Sequence, residues 1–269
     1  MPDSAQLRLL WPVLGAMAVL LTAGMAAFVH LASRPRGHST PWNVALAQLA
    51  ASAPWRGRDV LAIALLTSGA LAARSFLGPS TALDVLALSG TALAGALFLA
   101  HGRPRPFGGP APWRAATSQA LVRFLAILPV LWFAAFAWQL VQGMTGHATD
   151  VQRAIRLFLD ADSAATRMGF VFFAVVLAPL AEEAFFRGIL LPVLVRQTGA
   201  WAGIALTAAG FAALHAHAGS FASLAIFSIA LSLAYVRTGT LWVPILMHAL
   251  FNAASLSLLL GLARAGVVG

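Results

Sequence analysis

Long, almost uncharged hydrophobic segments recur along the chain, separated by shorter segments that contain Pro, Gly and charged residues. A transmembrane helix needs about 20 predominantly apolar residues to cross the hydrocarbon core of a bilayer. The pattern therefore predicts an all-α fold, a polytopic transmembrane helical bundle with about eight transmembrane helices. The predicted spans are Leu9–Ala32, Val60–Leu77, Ala82–His101, Leu121–Gln142, Met168–Leu191, two spans between Gln197 and Val236 that are separated near His217–Ser220, and Leu241–Leu262.

Two of the connecting segments carry local structural signals of their own. Trp42–Ala53 follows Pro41 and is predicted to form a short helix at the membrane interface. Gly102–Trp113 is rich in Pro and Gly, which is typical of a loop or linker. We therefore divide the chain into residues 1–118, with transmembrane helices 1–3 and this loop, and residues 119–269, with transmembrane helices 4–8.

The composition excludes several classes of protein. Of the 269 residues, 60% are hydrophobic and only 9% are charged, whereas soluble globular proteins carry about 25% charged residues. The apolar runs are continuous, unlike the alternating strands of a membrane β-barrel. The chain has no Cys, which excludes disulfides, thiolate zinc sites and cysteine nucleophiles. The expected surroundings are a lipid bilayer.

The basic residues predict the orientation in the membrane rather than a nucleic-acid partner. The net charge is +9, but most of the arginines lie in short loops, and no nucleic acid is expected to bind. Arginines in the first, third, fifth and seventh loops place these loops in the cytoplasm and both termini outside. The absence of Lys and the abundance of Ala, Gly and Pro indicate a GC-rich bacterial genome. We therefore expect an integral protein of the bacterial inner (plasma) membrane.

The only two glutamates of the chain, Glu182 and Glu183, are adjacent and lie inside an otherwise apolar span. An ionisable residue at membrane depth costs about 2.5–3.5 kcal/mol on insertion scales, so it indicates a functional site. Glu183 can form a structural ion pair with Arg187, one helical turn away. Glu182 points about 100° further around the helix and has no such local partner. This asymmetry makes Glu182 the candidate general base.

Two further polar motifs follow on later helices. Phe211 and His215 share one helix face by their spacing of four residues, and so do His248 and Asn252. Taken alone, each motif is also typical of interhelical hydrogen bonding. Counted at 1.5 Å per residue, Glu182 and His215 both lie about 21 Å from the cytoplasmic ends of their spans. His248 and Asn252 lie about 12 and 18 Å from theirs, so we expect the motifs to converge at one level.

These three motifs resemble those of the CAAX prenyl protease and bacteriocin-processing (CPBP, ABI) family of intramembrane endopeptidases. The resemblance covers roughly Gly169–Leu260 and follows the order of the family's motifs, so residues 119–269 would contain the protease core. It implies an eight-helix protease with a membrane-embedded chamber open to the cytoplasm. It also implies that Glu182 and His215 activate water and that His248 and Asn252 stabilise the oxyanion. Glu183, Arg187 and Phe211 would support this site.

The resemblance leaves the metal and the activity open. A glutamate-type mechanism without a cofactor is favoured, because the sequence lacks an HExxH helix. Zinc is the alternative, with Glu182, His215 and His248 as a His₂Glu ligand set. The expected substrate is a peptide or membrane protein whose identity the sequence does not define. A non-catalytic membrane scaffold or bacteriocin-immunity protein of the same family is the alternative function, followed by a transporter.

Overall fold

The computed structural model describes residues 4–33, 40–76, 81–103, 105–146, 158 and 163–266, and within these ranges it is all-helical. Arg34 and Arg36, two of the first-loop arginines behind the predicted orientation, lie outside the described part. The described helices are α1 (Ser4–Ser33), α2 (Trp42–Ser52), α3 (Gly57–Ser75), α4 (Thr81–Ala100), α5 (Trp113–Met144), α6 (Ala164–Thr198), α7 (Ala200–Leu214), α8 (Phe221–Thr238) and α9 (Trp242–Arg264).

The helix lengths confirm an integral membrane protein but not the count of eight spans. Among the described residues, five helical segments are long and apolar enough to cross a bilayer: Leu10–Ser33, Trp113–Met144, Ala164–Thr198, Ala218–Thr238 and Trp242–Arg264. Predicted span 3 corresponds to α4, in which the apolar segment identified is Ala87–Ala100, and predicted span 6 corresponds to the shorter α7, Ala200–Leu214. Predicted span 2 corresponds to α3, which carries Arg58, Asp59 and Arg74 within 19 residues. These charges make α3 a poorer spanning segment than its apolar centre suggests.

Helix α5 packs against α8 and against α9, which carries His248 and Asn252. Its buried side chains recur at about every fourth position, beginning with Ala116, Ala120 and Phe124, and this spacing forms one helix face. The face contacts buried residues of α8 and α9, including Phe227 and Met247. The two alanines let the neighbouring helix backbones approach closely, and such close contact stabilises helix pairs in lipid.

Helix α6 is interrupted by two π-helical segments, Phe173–Leu177 and Ala184–Leu190. Each segment ends two residues before a proline, Pro179 in the first case and Pro192 in the second. Because proline has no backbone N–H, it cannot continue the regular hydrogen-bond ladder, and the preceding turn widens. Such π-bulges occur preferentially at functional sites. The short α-helical turn between them, Ala178–Glu183, contains both glutamates.

The four loops that were predicted to share one side of the membrane contact one another at one end of the bundle. This agrees with the alternation of the predicted spans. The predicted short helix in the first loop is confirmed as α2, with bounds Trp42–Ser52. The contacts are hydrogen bonds from Trp55 to the Pro106 carbonyl (2.8 Å), from Arg103 to Asp59 (2.8 and 3.0 Å), from Arg196 to the Trp55 carbonyl, and from the Gly109 amide to the Gly239 carbonyl (2.9 Å).

We expect single cysteines at exposed positions to report this arrangement, because the natural chain contains no Cys. Pro110→Cys and Thr198→Cys, at the end where the four loops meet, should react with a membrane-impermeant thiol reagent only after cell lysis. Arg167→Cys, near the start of α6, should react in intact cells. Labelling of Pro110→Cys and Arg167→Cys from the same side would contradict the topology. The unmodified chain is the control for background labelling.

Candidate active site

The two glutamates in the middle of α6 have different surroundings. Glu183 is fully buried, and its Oε1 accepts a hydrogen bond of 2.9 Å from a terminal nitrogen of Arg187, which is also fully buried. The ion pair expected from their spacing is therefore present. The side chain of Glu182 is 25% exposed and has no such arginine partner. The Glu183 carboxylate is thus enclosed by protein, whereas the adjacent Glu182 carboxylate is partly accessible.

His248 on α9 connects the two glutamates. Its Nδ1 lies 2.9 Å from Glu183 Oε1, the same oxygen that accepts from Arg187. A carboxylate accepts hydrogen bonds, so this contact places the hydrogen of the neutral His248 ring on Nδ1. The other ring nitrogen, Nε2, lies 3.9 Å from Glu182 Oε2. Glu183 therefore orients the His248 ring toward Glu182.

His215 approaches Glu182 from another helix. The residue directly follows the last residue of α7, and its Nδ1 lies 2.8 Å from the Phe211 carbonyl oxygen. Because a carbonyl oxygen only accepts, the Nδ1 carries the hydrogen and Nε2 is left with its lone pair. His215 Nε2 lies 4.0 Å from Glu182 Oε2, and 29% of the side chain is exposed. The Phe211–His215 spacing thus fixes the ring through a local hydrogen bond.

The chain leaves α7 sharply after His215. Ala216 has a φ of +47°, a region that residues with a Cβ rarely adopt and that is often found at functional sites. The connection that follows is held by Trp138 of α5, whose indole N–H donates to the Ala218 carbonyl at 2.7 Å. This contact fixes the connection beside His215 to a helix of the bundle core.

Glu182 Oε2 is the point at which the two imidazoles converge. The atom is buried and makes no hydrogen bond within the described part of the protein. Distances of 3.9 and 4.0 Å to the two Nε2 atoms are too long for direct hydrogen bonds. One water molecule can lie about 2.8 Å from each atom of such a pair and bridge it. The arrangement suits a reactive water held by a carboxylate and an imidazole.

Aromatic rings line the buried side of this cluster. The fully buried Phe211 ring lies 4.8 Å from the His215 ring and 5.7 Å from the His248 ring, measured between centroids. The Arg187 guanidinium lies 4.7 Å from the centroid of the same Phe211 ring, within range of a cation–π interaction. Phe227 packs edge-on to His248 at 5.7 Å. These rings exclude water and so strengthen the electrostatic interactions among the polar groups.

Asn252 lies on α9, one turn after His248, and its side chain reaches the first π-helical segment. Its Nδ2 donates a hydrogen bond of 2.7 Å to the carbonyl oxygen of Ala174. Within this segment the Ala178 amide bonds to the carbonyl of Phe173, five residues earlier. A hydrogen bond of the same spacing would run from residue 179 to the carbonyl of Ala174, but Pro179 has no backbone N–H to donate. The Asn252 side chain thus donates to a carbonyl that has no backbone donor because of the proline.

Glu182, His215 and His248 are of the residue types that bind zinc, but their side-chain atoms lie farther apart than zinc ligands do. Zinc-bound histidines commonly donate their other N–H to a carboxylate or a backbone carbonyl, as His248 and His215 do. Ligand atoms around tetrahedral zinc lie roughly 3.3 Å apart, given bonds of about 2.0 Å. The separations of 3.9 and 4.0 Å are wider. Among the described residues, no group of three or more His, Cys, Asp or Glu side chains is arranged to hold a metal ion.

The comparisons with known proteins cover the part of the chain that contains this cluster. Residues 164–254 match the family model described as type II CAAX prenyl endopeptidase Rce1-like. An uncharacterised 24.3 kDa protein of Escherichia coli is 38% identical over 91 residues, which are 32% of this chain and 41% of that protein. The chain thus spans about two fifths of the length of this curated relative. No solved structure matches the chain significantly. Residues 164–254 are therefore similar to the Rce1-like type II CAAX prenyl endopeptidases.

Proposed function

We propose that the protein is an intramembrane endopeptidase in which Glu182 and His215 activate a water molecule. The observation that supports this proposal is the position of Glu182 Oε2, a buried atom about 4 Å from the Nε2 atoms of two histidines. The proposed substrate is a peptide or membrane protein that enters from the bilayer. The proposed location is the bacterial plasma membrane, with a chamber that opens to the cytoplasm.

In the proposed reaction the Glu182 carboxylate takes a proton from the bridging water while His215 Nε2 orients it. The resulting hydroxide attacks the carbonyl carbon of the scissile peptide bond, and the carbonyl oxygen becomes an oxyanion. When the tetrahedral intermediate collapses, the C–N bond breaks and Glu182 returns the proton to the departing nitrogen. A general acid–base group of this kind contributes roughly 10²–10⁴-fold to the rate.

His248 and Asn252 are the proposed donors to the oxyanion. Because His248 Nδ1 already donates to Glu183, its Nε2 donates only when the ring is protonated. The amide nitrogen of Asn252 carries two hydrogens, one of which bonds to Ala174. The other is available to the oxyanion.

Asn252→Ala is expected to lower kcat by roughly 10²–10³-fold, the usual cost of one oxyanion donor. The measurement is the cleavage rate of a reconstituted protein at saturating substrate. Asn43→Ala is the matched control, since Asn43 is the only other asparagine of the chain and lies exposed on α2. Equal rates for the two variants would rule out Asn252 as a donor.

Chelation distinguishes the proposed mechanism from a zinc mechanism. Glu182, His215 and His248 would hold the ion, and zinc would supply a bound water with its pKa lowered to about 7. We expect full cleavage after stringent chelation and no zinc in the purified protein by elemental analysis. Loss of cleavage on chelation, together with loss of bound zinc in Glu182→Gln, His215→Ala and His248→Ala, would assign the zinc mechanism instead.

A further inference from the structure

Ser228, a residue outside the three sequence motifs, holds Arg187 in place. It lies on α8 and is completely buried. One terminal nitrogen of Arg187 donates to its hydroxyl oxygen at 2.7 Å and to its backbone carbonyl oxygen at 3.0 Å. The other terminal nitrogen donates to Glu183 at 2.9 Å. The arginine thus connects α8 to the glutamate-bearing turn of α6.

The hydroxyl and the carbonyl of Ser228 are not equivalent as acceptors. The carbonyl also accepts a hydrogen bond of 2.9 Å from the side chain of Ser232, so Arg187 shares it. The hydroxyl oxygen makes the shorter bond to the arginine. The Nε of Arg187 is buried and has no hydrogen-bond partner within the described part of the protein. The orientation of the guanidinium therefore depends on its two terminal nitrogens.

A continuous series of hydrogen bonds leads from this hydroxyl to the reactive centre. Arg187 and His248 donate to the same oxygen of Glu183, so a shift of the guanidinium changes the position or the charge density of that oxygen. That oxygen fixes the hydrogen on His248 Nδ1 and directs Nε2 toward Glu182. Hydrogen bonds with a charged partner are roughly twice as strong as hydrogen bonds between neutral groups.

We propose that Ser228 is a positioning residue for the reaction, acting through Arg187 and Glu183 on the tautomer and direction of the His248 ring. The proposal rests on the proposed function and adds to it a residue of α8, a helix that carries none of the motifs. Ser228 touches no reacting atom in this arrangement. Its removal should lower kcat and leave KM unchanged, because substrate binding does not involve it.

The test compares Ser228→Ala with Ser232→Ala in the full chain. Ser232 is the matched control, since it is also a fully buried serine of α8, but its hydroxyl donates to the Ser228 backbone carbonyl and accepts nothing from Arg187. We expect Ser228→Ala to lower kcat on the order of 10- to 100-fold, the effect of losing one charge-assisted hydrogen bond. Ser232→Ala should stay within about twofold of the natural chain, and Ser228→Thr, which restores a hydroxyl, should recover activity.

A second measurement does not depend on cleavage. The ¹⁵N shifts of the His248 ring should show a hydrogen fixed on Nδ1 in the natural chain and in Ser232→Ala, but a mixture of tautomers in Ser228→Ala. If Ser228→Ala does not fold, Ser228→Cys keeps the volume and replaces the oxygen by a weak acceptor. Identical kcat and ring signals for the Ser228 and Ser232 variants would overturn the proposal. If the natural chain cleaves nothing, the proposed function fails and the ring signal alone decides this inference.

Discussion

Replacing Glu182 with Gln is expected to lower peptide cleavage by roughly 10²–10⁴-fold, because the variant keeps the size of the side chain and loses the proton acceptor. The fold should be unaffected, since Glu182 is partly exposed and pairs with no arginine. When the substrate is unidentified, the measurement is a comparison of new protein N-termini in membranes from cells that express either the natural chain or the variant. Termini that depend on Glu182 identify substrates and cleavage sites together.

The comparison variant for this experiment is Glu183→Gln, at the neighbouring residue. Glu183→Gln also removes one carboxylate but leaves Glu182 in place, and it weakens the contacts to Arg187 and His248. It should reduce both stability and activity, whereas Glu182→Gln should reduce activity alone. Undiminished cleavage by Glu182→Gln would contradict the assignment of the base. Retention of the cellular function by both Glu182→Gln and His215→Ala would instead favour a non-catalytic scaffold.

The sequence alone predicted the local relations of the site well. The pairing of Glu183 with Arg187 followed from a spacing of four residues, and the different environment of Glu182 followed from its angle on the same helix. The approach of His215 and His248 to Glu182 agrees with the expected convergence. The family resemblance is confirmed over residues 164–254. The catalytic roles and the division of the chain near residue 118 stay predictions.

Features that depend on contacts between distant segments could not be predicted in the same way. Ser228 carries no charge, and a serine in an apolar helix usually bonds to its own backbone. Its one signal was Ser232 four residues later, which gives α8 a small polar face. Ala174 contributes a backbone carbonyl to Asn252, and side-chain patterns do not reveal such an acceptor. The count of eight spans is not confirmed, because α3 carries three charged residues and α7 is only 15 residues long.

Arg187→Ala is expected to lower the free energy of unfolding by about 3–5 kcal/mol, the usual cost of breaking a buried ion pair from one side. Both partners are fully buried, so the Glu183 charge would remain in a low-dielectric environment with His248 as its remaining partner. The measurement is denaturant unfolding in detergent micelles. Arg237→Ala is the control, because it removes an exposed arginine at the end of α8.

The double variant Glu183→Gln, Arg187→Met separates the charge effect from lost packing. Replacing a buried ion pair by neutral groups of similar volume is often nearly neutral, so the double variant should recover most of the stability that Arg187→Ala loses. Its activity should nevertheless stay low, because a neutral amide at position 183 would no longer hold the His248 ring as a carboxylate does. A double variant that is both stable and fully active would show that the pair is dispensable for catalysis. Stability of Arg187→Ala equal to that of Arg237→Ala would contradict the buried ion pair itself.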